Sequence, residues 1–229
     1  MSAVKVEIWC VELVSKADCL AMEALYRRYY EGAPAETFRR DLVEKDRAIV
    51  LREDGAVVGF STMRLLDVEG QKVLFSGDTV VDAACRNQTG LAGAFGHVMH
   101  RLNDELAEPP NWFLICKGAR TYRFLPTFFK RYVPGRREDE ELELRLKSIA
   151  RAVFPREYDE TTGVLRFGAG KDRLKEDTLR MDAESVRFRT LNPGWVNGDE
   201  LCCLAPLSMD NLNKLGRRVI ADVSPEWYE

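Results

Sequence analysis

A strand pattern from Lys72 to Asp82 leads through a short turn into a long helix pattern, and this junction most constrains the fold. β-Branched and apolar residues fill the first part, and apolar residues recur at helical spacing from Leu91 to Leu106. Between them lies the small-residue run Thr89–Gly93. A helix start carries unpaired main-chain N–H groups and the positive end of the helix dipole. Small residues there let a phosphate approach closely, so the run predicts a diphosphate site, although the same glycines would also suit a simple turn.

The bulk composition is that of a globular protein. Of the 229 residues, 45% are hydrophobic and 31% charged, and the net charge is −3. This balance argues against a nucleic-acid or membrane partner. The start, MSAVKVEIWCVEL, lacks the pattern of a secretory signal, and the six cysteines form no CxxC pair. We therefore expect a cytoplasmic protein whose cysteines are reduced core residues.

Hydrophobic spacing and turn residues predict an ordered series of elements along the chain. Strands are predicted at Val4–Leu13, Arg47–Arg52, Ala56–Leu66, Val73–Asp82, Trp112–Cys116, Gly163–Phe167 and Glu200–Leu204. Helices are predicted at Ala17–Tyr30, Ala35–Glu44, Leu91–Leu106, Thr121–Tyr132 and Leu142–Val153, with two more near Asp182–Leu191 and Asp210–Val219. No internal repeat or low-complexity linker interrupts this series.

The element order resembles the GNAT acyltransferase superfamily over Val4 to Pro134. Members carry the motif Q/R-x-x-G-x-G/A between the fourth strand and the third helix. Here Asn87-Gln88-Thr89-Gly90-Leu91-Ala92 holds that place, with asparagine in the lead and Arg86 one residue earlier. The resemblance implies an α/β fold of the α+β type, with a mixed, mostly antiparallel sheet flanked by helices. We expect one domain over residues 1–229, with a core at 4–134 and an extension at 135–229 that completes the sheet.

The resemblance also implies a pantetheine-bearing donor, acetyl-CoA or another acyl-CoA. The pantetheine arm would pair with the main chain of Val80, Val81 and Asp82, where the family's fourth and fifth strands splay apart. Arg86 would contact phosphate oxygens, and Asn87 and Gln88 are further candidates for such contacts. The diphosphate would lie on the N–H groups of Thr89, Gly90, Leu91, Ala92 and Gly93.

Transfer to an amine requires a base, an oxyanion donor and an acid for the leaving thiolate. The family's base is a carboxylate on the fourth strand, which implies Asp78, although a surface aspartate is the alternative. The family's tyrosine acid aligns with Phe128, which has no proton to give. Tyr122 and Tyr132 are the nearby substitutes, and each could instead be a packed core tyrosine.

Several alternatives remain open from the sequence. His97 and His100 have no third ligand at a suitable spacing, so we predict no metal site and a solvated face for both. The basic segment Arg120–Arg137 could meet the 3′-phosphate of CoA, dock an acyl carrier protein, or be a solvated helix face. The favoured function is transfer of an acyl group, with acetyl as the first choice, from acyl-CoA to the amine of a small metabolite or of an amino-acid-like acceptor. A non-catalytic binder of acyl-CoA or of a partner, and an acyl-carrier-protein-dependent enzyme, are the alternatives.

Overall fold

A computed structural model describes residues 4–32, 35–86, 89–168, 172–175 and 182–229. These residues form a nine-stranded sheet and a separate two-stranded ribbon, with helices on both faces of the sheet. Most strand pairs in the larger sheet are antiparallel, so the fold class predicted from the sequence is confirmed. Within the described ranges, no helix combines the length and apolarity needed to span a membrane.

Eleven strands and eight α-helices are described. The strands are β1 (Lys5–Cys10), β2 (Tyr30–Glu31), β3 (Arg47–Glu53), β4 (Ala56–Val68), β5 (Gln71–Val81), β6 (Asn111–Cys116), β7 (Tyr158–Asp159), β8 (Val164–Leu165), β9 (Arg173–Leu174), β10 (Glu200–Pro206) and β11 (Glu226–Tyr228). The helices are α1 (Lys16–Tyr29), α2 (Ala35–Val43), α3 (Gly90–Glu105), α4 (Ala119–Tyr122), α5 (Phe124–Phe128), α6 (Glu140–Val153), α7 (Ala183–Leu191) and α8 (Lys214–Ala221).

The larger sheet has the order β11-β1-β3-β4-β5-β6-β10-β8-β7, and β2 pairs with β9 in the ribbon. The pairs β1/β11 and β5/β6 are parallel. The chain therefore passes from β5 through α3 to β6, which is the crossover that a parallel pair requires. This crossover is the strand–turn–helix junction seen in the sequence.

Side chains alternate between the two faces of the sheet, and a different set of helices covers each face. On β3, Ile49 and Leu51 join the core beneath α3, α4, α5 and α7, whereas Ala48 and Val50 join the core beneath α1 and α2. Helix α6 covers the same face as α1 and α2 but lies over β5, β6 and β10. A cavity lies on this second face, bordered by α2 on one side and α6 on the other.

The C-terminal part of the chain contributes strands to the same sheet. Strand β10 pairs with β6 from Leu201–Cys116 to Pro206–Asn111, and β8 pairs with β10. The predicted strand at Gly163–Phe167 is present as the two-residue strand β8. That residues 1–229 fold as one domain remains a prediction.

Cutting the chain after Gly135 is expected to give an insoluble or molten product. The cut removes β10 and α6, which would expose the paired edge of β6 and the apolar face of the sheet that α6 covers. Thermal unfolding and size-exclusion chromatography of the fragment would be compared with those of the full chain. A monomeric fragment that melts cooperatively would show that the single-domain prediction is wrong.

The predicted helix Thr121–Tyr132 is wrong in extent, because two short helices, α4 and α5, replace it. Pro126 lies in the first turn of α5, where the missing N–H costs little. The helix ends at Phe128, and the chain then becomes extended. The N–H of Val133 donates to the carbonyl of Leu204 at 2.8 Å, and Leu204 returns the same bond at 2.8 Å. This pairing with β10, which lies 71 positions away, overrides the local helical pattern.

Candidate active site

The parallel pair β5/β6 separates before either strand ends. Their pairing covers Val73 to Ser76 on β5, yet β5 continues to Val81 and β6 continues to Cys116. On the other side of β5, two residues, Gly77 and Asp78, lie between the pairs that β5 makes with β4. Two residues opposite one constitute a β-bulge, which bends the strand. Strands β5 and β6 therefore splay apart beyond Ser76.

A cavity of about 540 Å³ lies at this splay, on the face that carries α1, α2 and α6. Charged side chains from several elements line it, among them Asp41, Lys45, Asp78, Lys117, Asp172 and Glu200. Apolar side chains line the part beneath α6: Leu66, Phe75, Ile115, Val153, Phe154 and Phe167. We call this space the main cavity.

Asp78 lies in the wall of the main cavity and is the second residue of the bulge. A Cβ on Gly77 would lie only 2.8 Å from Cε of Lys45 and 2.9 Å from Oγ1 of Thr62. The buried Lys45 side chain therefore crosses the strand at Gly77, and a larger residue there would require Lys45 and Thr62 to shift. The Lys45 ammonium lies 2.6 Å from Asp41. The carboxylate predicted as the base thus shares the cavity with a buried cation.

A second space, the β5–α4 groove, lies between the end of β5 and the start of α4. Tyr30, Val80, Val81, Arg86 and Arg120 are among the residues that line it. Thr79 and Thr121 line the groove, the main cavity and a third small cavity beside Leu91 and Trp112. The splay therefore brings the spaces on the two faces of the sheet next to each other.

Arg86 lies in the groove where the sequence predicted a phosphate contact. Its Nε donates to the carbonyl of Val81 at 3.0 Å, and its guanidinium lies 4.6 Å from the ring centroid of Tyr29. Asp82 does not line the groove among the residues described: its N–H donates to Val58 at 2.7 Å, and its carboxylate accepts from Arg28 at 2.9 Å. Of the three residues predicted to pair with pantetheine, Val80 and Val81 therefore line the groove, whereas Asp82 does not among the residues described.

The surroundings of the α3 N-terminus differ from those of an unobstructed phosphate site. The hydroxyl of Thr89 makes no capping bond, so it leaves the first N–H groups to other partners. The cavity beside Thr89 and Gly90 is also lined by Asp222, whose charge opposes a phosphate there. Glu226 lines it too, but its carboxylate is paired with the Lys5 ammonium at 2.8 Å. Asn87 and Gln88 lie outside the described residues.

The glycines of α3 have packing roles of their own. A Cβ on Gly90 would lie 3.1 Å from Val6, and one on Gly93 would collide with Val223 and lie 2.9 Å from the carbonyl of Val219. Close approach of α8 and its following residues therefore requires Gly93. Ala92 is half-buried, and Leu91 is buried against the sheet. Packing alone can explain the small residues of this helix start, so phosphate binding there stays a prediction.

Neither tyrosine predicted as the acid lies near Asp78. Tyr122 is fully buried, its hydroxyl donating to the carbonyl of Pro134 at 2.8 Å and accepting from Arg187 at 3.2 Å. Tyr132 is half-buried, and burial together with the nearby Glu184 raises its pKa. In the part of the chain that the structure describes, neither lines the main cavity or the β5–α4 groove. Tyr122, on α4, packs against Phe188 of α7 with ring centroids 6.0 Å apart, and Tyr132 lies beyond the end of α5. The structure therefore brings neither hydroxyl to the splay, and the acid role of each stays a prediction.

Sequence reasoning missed Tyr30, which lines both the main cavity and the β5–α4 groove. Its ring stacks on Tyr26 with centroids 4.5 Å apart. Within the described ranges, its hydroxyl makes no hydrogen bond, unlike those of Tyr26 and Tyr122. Burial raises the pKa of Tyr30, and the negative charges of Asp78 and Glu200 raise it further. The phenol therefore stays protonated at neutral pH. From the sequence, Tyr30 could be recognised only as the last residue of a predicted helix.

A buried ionic cluster lies at the junction of α1, β6 and β10. The Lys117 ammonium lies 2.6 Å from Asp172 and 3.6 Å from Glu200, and the Tyr26 hydroxyl also donates to Asp172. Burial and the charge of Glu200 raise the pKa of Asp172 to about 7, while Lys117 favours its charged form. Such a cluster needs each partner, since removing one leaves a buried charge uncompensated. It holds α1 and Tyr26 against the strand ends.

The basic segment Arg120–Arg137 is largely paired within the protein. Arg123 pairs with Asp182, and Arg136 pairs with Glu184. Arg131 pairs with Asp139 and Glu141 on the α6 side. These pairs reduce the positive surface that an acyl carrier protein would need, whereas Arg120 lines the β5–α4 groove.

The histidines take different environments. His97 lies beneath the end of α8, where its Nε2 is 2.6 Å from the carbonyl oxygen of Val223, so the predicted solvated face is wrong for this residue. His100 is exposed and lies 2.9 Å from Asp104. The described residues contain no group of three or more His, Cys, Asp or Glu side chains that could hold a metal ion.

Comparison with known proteins gives only structural likenesses, since no family model and no curated protein matches the sequence. A GNAT-family N-acetyltransferase from Escherichia coli, in complex with CoA, is 22% identical with a TM-score of 0.40, over 56% of this chain and 68% of that chain. A protein described as a GNAT-family acetyltransferase from Desulfovibrio desulfuricans is 11% identical with a TM-score of 0.45, over 90% and 100%. The ribosomal-protein-S18-alanine N-acetyltransferase of Escherichia coli is 12% identical with a TM-score of 0.44, over 90% and 96%. All three TM-scores lie below 0.5, so these likenesses carry no function over to this chain.

Proposed function

We propose that this chain is an N-acyltransferase of the GNAT type, which moves an acyl group from acyl-CoA to a small-molecule amine. The observation that carries the proposal is the splay of β5 from β6 beyond Ser76. It brings a groove with two arginines next to a cavity that contains a carboxylate. A thioester donor and an amine acceptor must meet at one point while approaching from different sides, and this arrangement provides such a point.

The donor would enter through the β5–α4 groove. Its pantetheine arm would pair with the main chain of Val80 and Val81, which no longer face β6 as ladder partners. Its phosphates would lie near Arg86 and Arg120, where charge-assisted hydrogen bonds are available. The start of α3 would be the second phosphate contact, through the N–H groups of Thr89 to Ala92, because the Gly93 N–H already donates to the carbonyl of Thr89 at 2.9 Å.

The chemistry would use two side chains from opposite sides of the splay. Asp78 would take the proton from the attacking amine. The nitrogen then forms a bond to the carbonyl carbon, and main-chain N–H groups of β5 beyond Ser76 are suited to the oxyanion. When the C–S bond breaks, the Tyr30 hydroxyl would give its proton to the leaving thiolate. This assignment replaces Tyr122 and Tyr132.

Calorimetric titration with CoA tests the donor site. We expect Arg86→Ala and Arg120→Ala to weaken CoA binding by about 1–3 kcal/mol each, because each would remove a charged hydrogen bond to phosphate. Arg40→Ala is the matched control, since Arg40 is exposed on α2 and lines neither space among the residues described.

The outcomes separate the candidate functions. Binding that is equal in the wild type and both variants would remove the site assignment. CoA binding without thiol release over a panel of amines would instead favour the non-catalytic binder.

A further inference from the structure

The apolar part of the main cavity presents incompletely buried side chains. Its six residues belong to one hydrophobic cluster beneath α6, yet five of them are only partly buried. Phe154 contacts both Phe75 and Phe167, with ring centroids 5.8 Å apart in each pair. A wall of this kind gains stability when an apolar ligand group covers it.

Two cations border the apolar wall. The Lys45 ammonium lies 5.9 Å from the ring centroid of Phe75 and is paired with Asp41. Arg64 is the cross-strand partner of Phe75, so both side chains leave the same face of the sheet. Arg64 lines the cavity and, among the residues described, forms no ion pair or hydrogen bond. An arginine at the edge of an apolar pocket is suited to bind a carboxylate.

These groups lie within reach of a single small molecule. Asp78 follows Phe75 by three positions on β5, which corresponds to roughly 10 Å of strand. Lys45 crosses β5 between them, at Gly77. An amine at Asp78 would therefore have a cation beside it and an aromatic wall beyond it.

We propose that the acceptor is an α-amino acid with an apolar or aromatic side chain. Its amine would lie at Asp78, its carboxylate at Arg64 and Lys45, and its side chain against Phe75 and Phe154. This inference rests on the proposed function. A long acyl chain on the donor would also cover the wall, but it would make no use of Arg64.

Matched acceptors test the inference. Thiol release from acetyl-CoA would be followed with L-phenylalanine, with phenethylamine, which lacks the carboxylate, and with glycine, which lacks the side chain. We expect kcat/KM for phenylalanine to exceed both others by about tenfold or more. Arg64→Ala should raise the KM for phenylalanine and remove its advantage over phenethylamine, with kcat retained. Arg40→Ala should leave the advantage unchanged.

A binding measurement keeps the inference testable without turnover. Calorimetry on the CoA complex should show phenylalanine binding at least about tenfold tighter than phenethylamine. If both bind as expected but no amine is acylated, the proposed chemistry fails while the ligand class stands. Equal use of the three acceptors, or a preference for octanoyl-CoA with glycine as acceptor, would overturn the inference. Absence of binding by CoA and by every amine would overturn both proposals.

Discussion

Replacing Asp78 by asparagine is expected to lower the acyl-transfer rate by about 10²–10⁴-fold. The amide keeps the size of the side chain but cannot take the proton from the attacking amine. Because Asp78 lines the main cavity and not the β5–α4 groove, CoA affinity should change little. Initial rates of thiol release and calorimetric titration with CoA would measure the two effects separately.

Asp67→Asn serves as the control for this substitution. Asp67 lies on β4, exposed, and pairs with Lys72 at 3.0 Å on the surface. Its replacement should leave both the rate and the CoA affinity at wild-type values. A rate for Asp78→Asn within a few-fold of wild type would show that the base is another group or that the amine arrives already neutral.

The sheet could be predicted from sequence largely because its strands alternate. On β3, successive residues pack against helices on opposite faces of the sheet, and such alternation gives the two-residue period by which a strand is predicted. The short strands could not be predicted in this way. Strand β2 pairs with β9 through Tyr30–Leu174, a contact between residues 144 positions apart with two residues per strand. Two residues carry too little pattern, and only the tertiary contact defines them.

The candidate site was predicted in part. The family resemblance implies Asp78 as the base, and the structure places it in a cavity wall, where its role as base remains a proposal. The small residues of α3 suggested only a phosphate site from sequence. The structure adds that Gly93 is needed for contact with Val223, a residue 130 positions away. In the sequence, a glycine that is needed both for packing and for phosphate binding looks the same as a glycine that is needed for only one of them.

Tyr30 could not be selected from sequence, because its relevance depends on contacts with parts of the chain that are distant in sequence. It ends the predicted helix Ala17–Tyr30 and resembles a further apolar position on α1. Only the fold brings it beside Asp78 of β5 and Arg86 of the following turn. Thr79 and Thr121 also line both spaces, but a threonine hydroxyl is far less acidic than a phenol. Tyr30 is therefore the side chain at this junction that is suited to protonate a thiolate.

Tyr30→Phe is expected to lower kcat by about 10²–10⁴-fold with little change in the KM for acyl-CoA. The ring remains to stack on Tyr26, so the loss would come from the proton alone. Burial, Asp78 and Glu200 raise the pKa of Tyr30, and an acid must be protonated to act. The wild-type rate should therefore show no alkaline fall below about pH 10, the ordinary pKa of a phenol.

Tyr132→Phe and Tyr122→Phe are the matched controls, since the structure places both hydroxyls away from the splay. Both should keep the wild-type kcat. A second measurement needs no acceptor. At a pH where the CoA thiol is ionised, the affinity for CoA is divided by the affinity for desulfo-CoA, and this ratio should be lower for Tyr30→Phe than for the wild type. The thiolate is the group to which the phenol would donate, so this ratio isolates their contact from any general loss of stability. Wild-type kcat in Tyr30→Phe together with a loss in Tyr132→Phe would return the acid role to the residue that the sequence suggested.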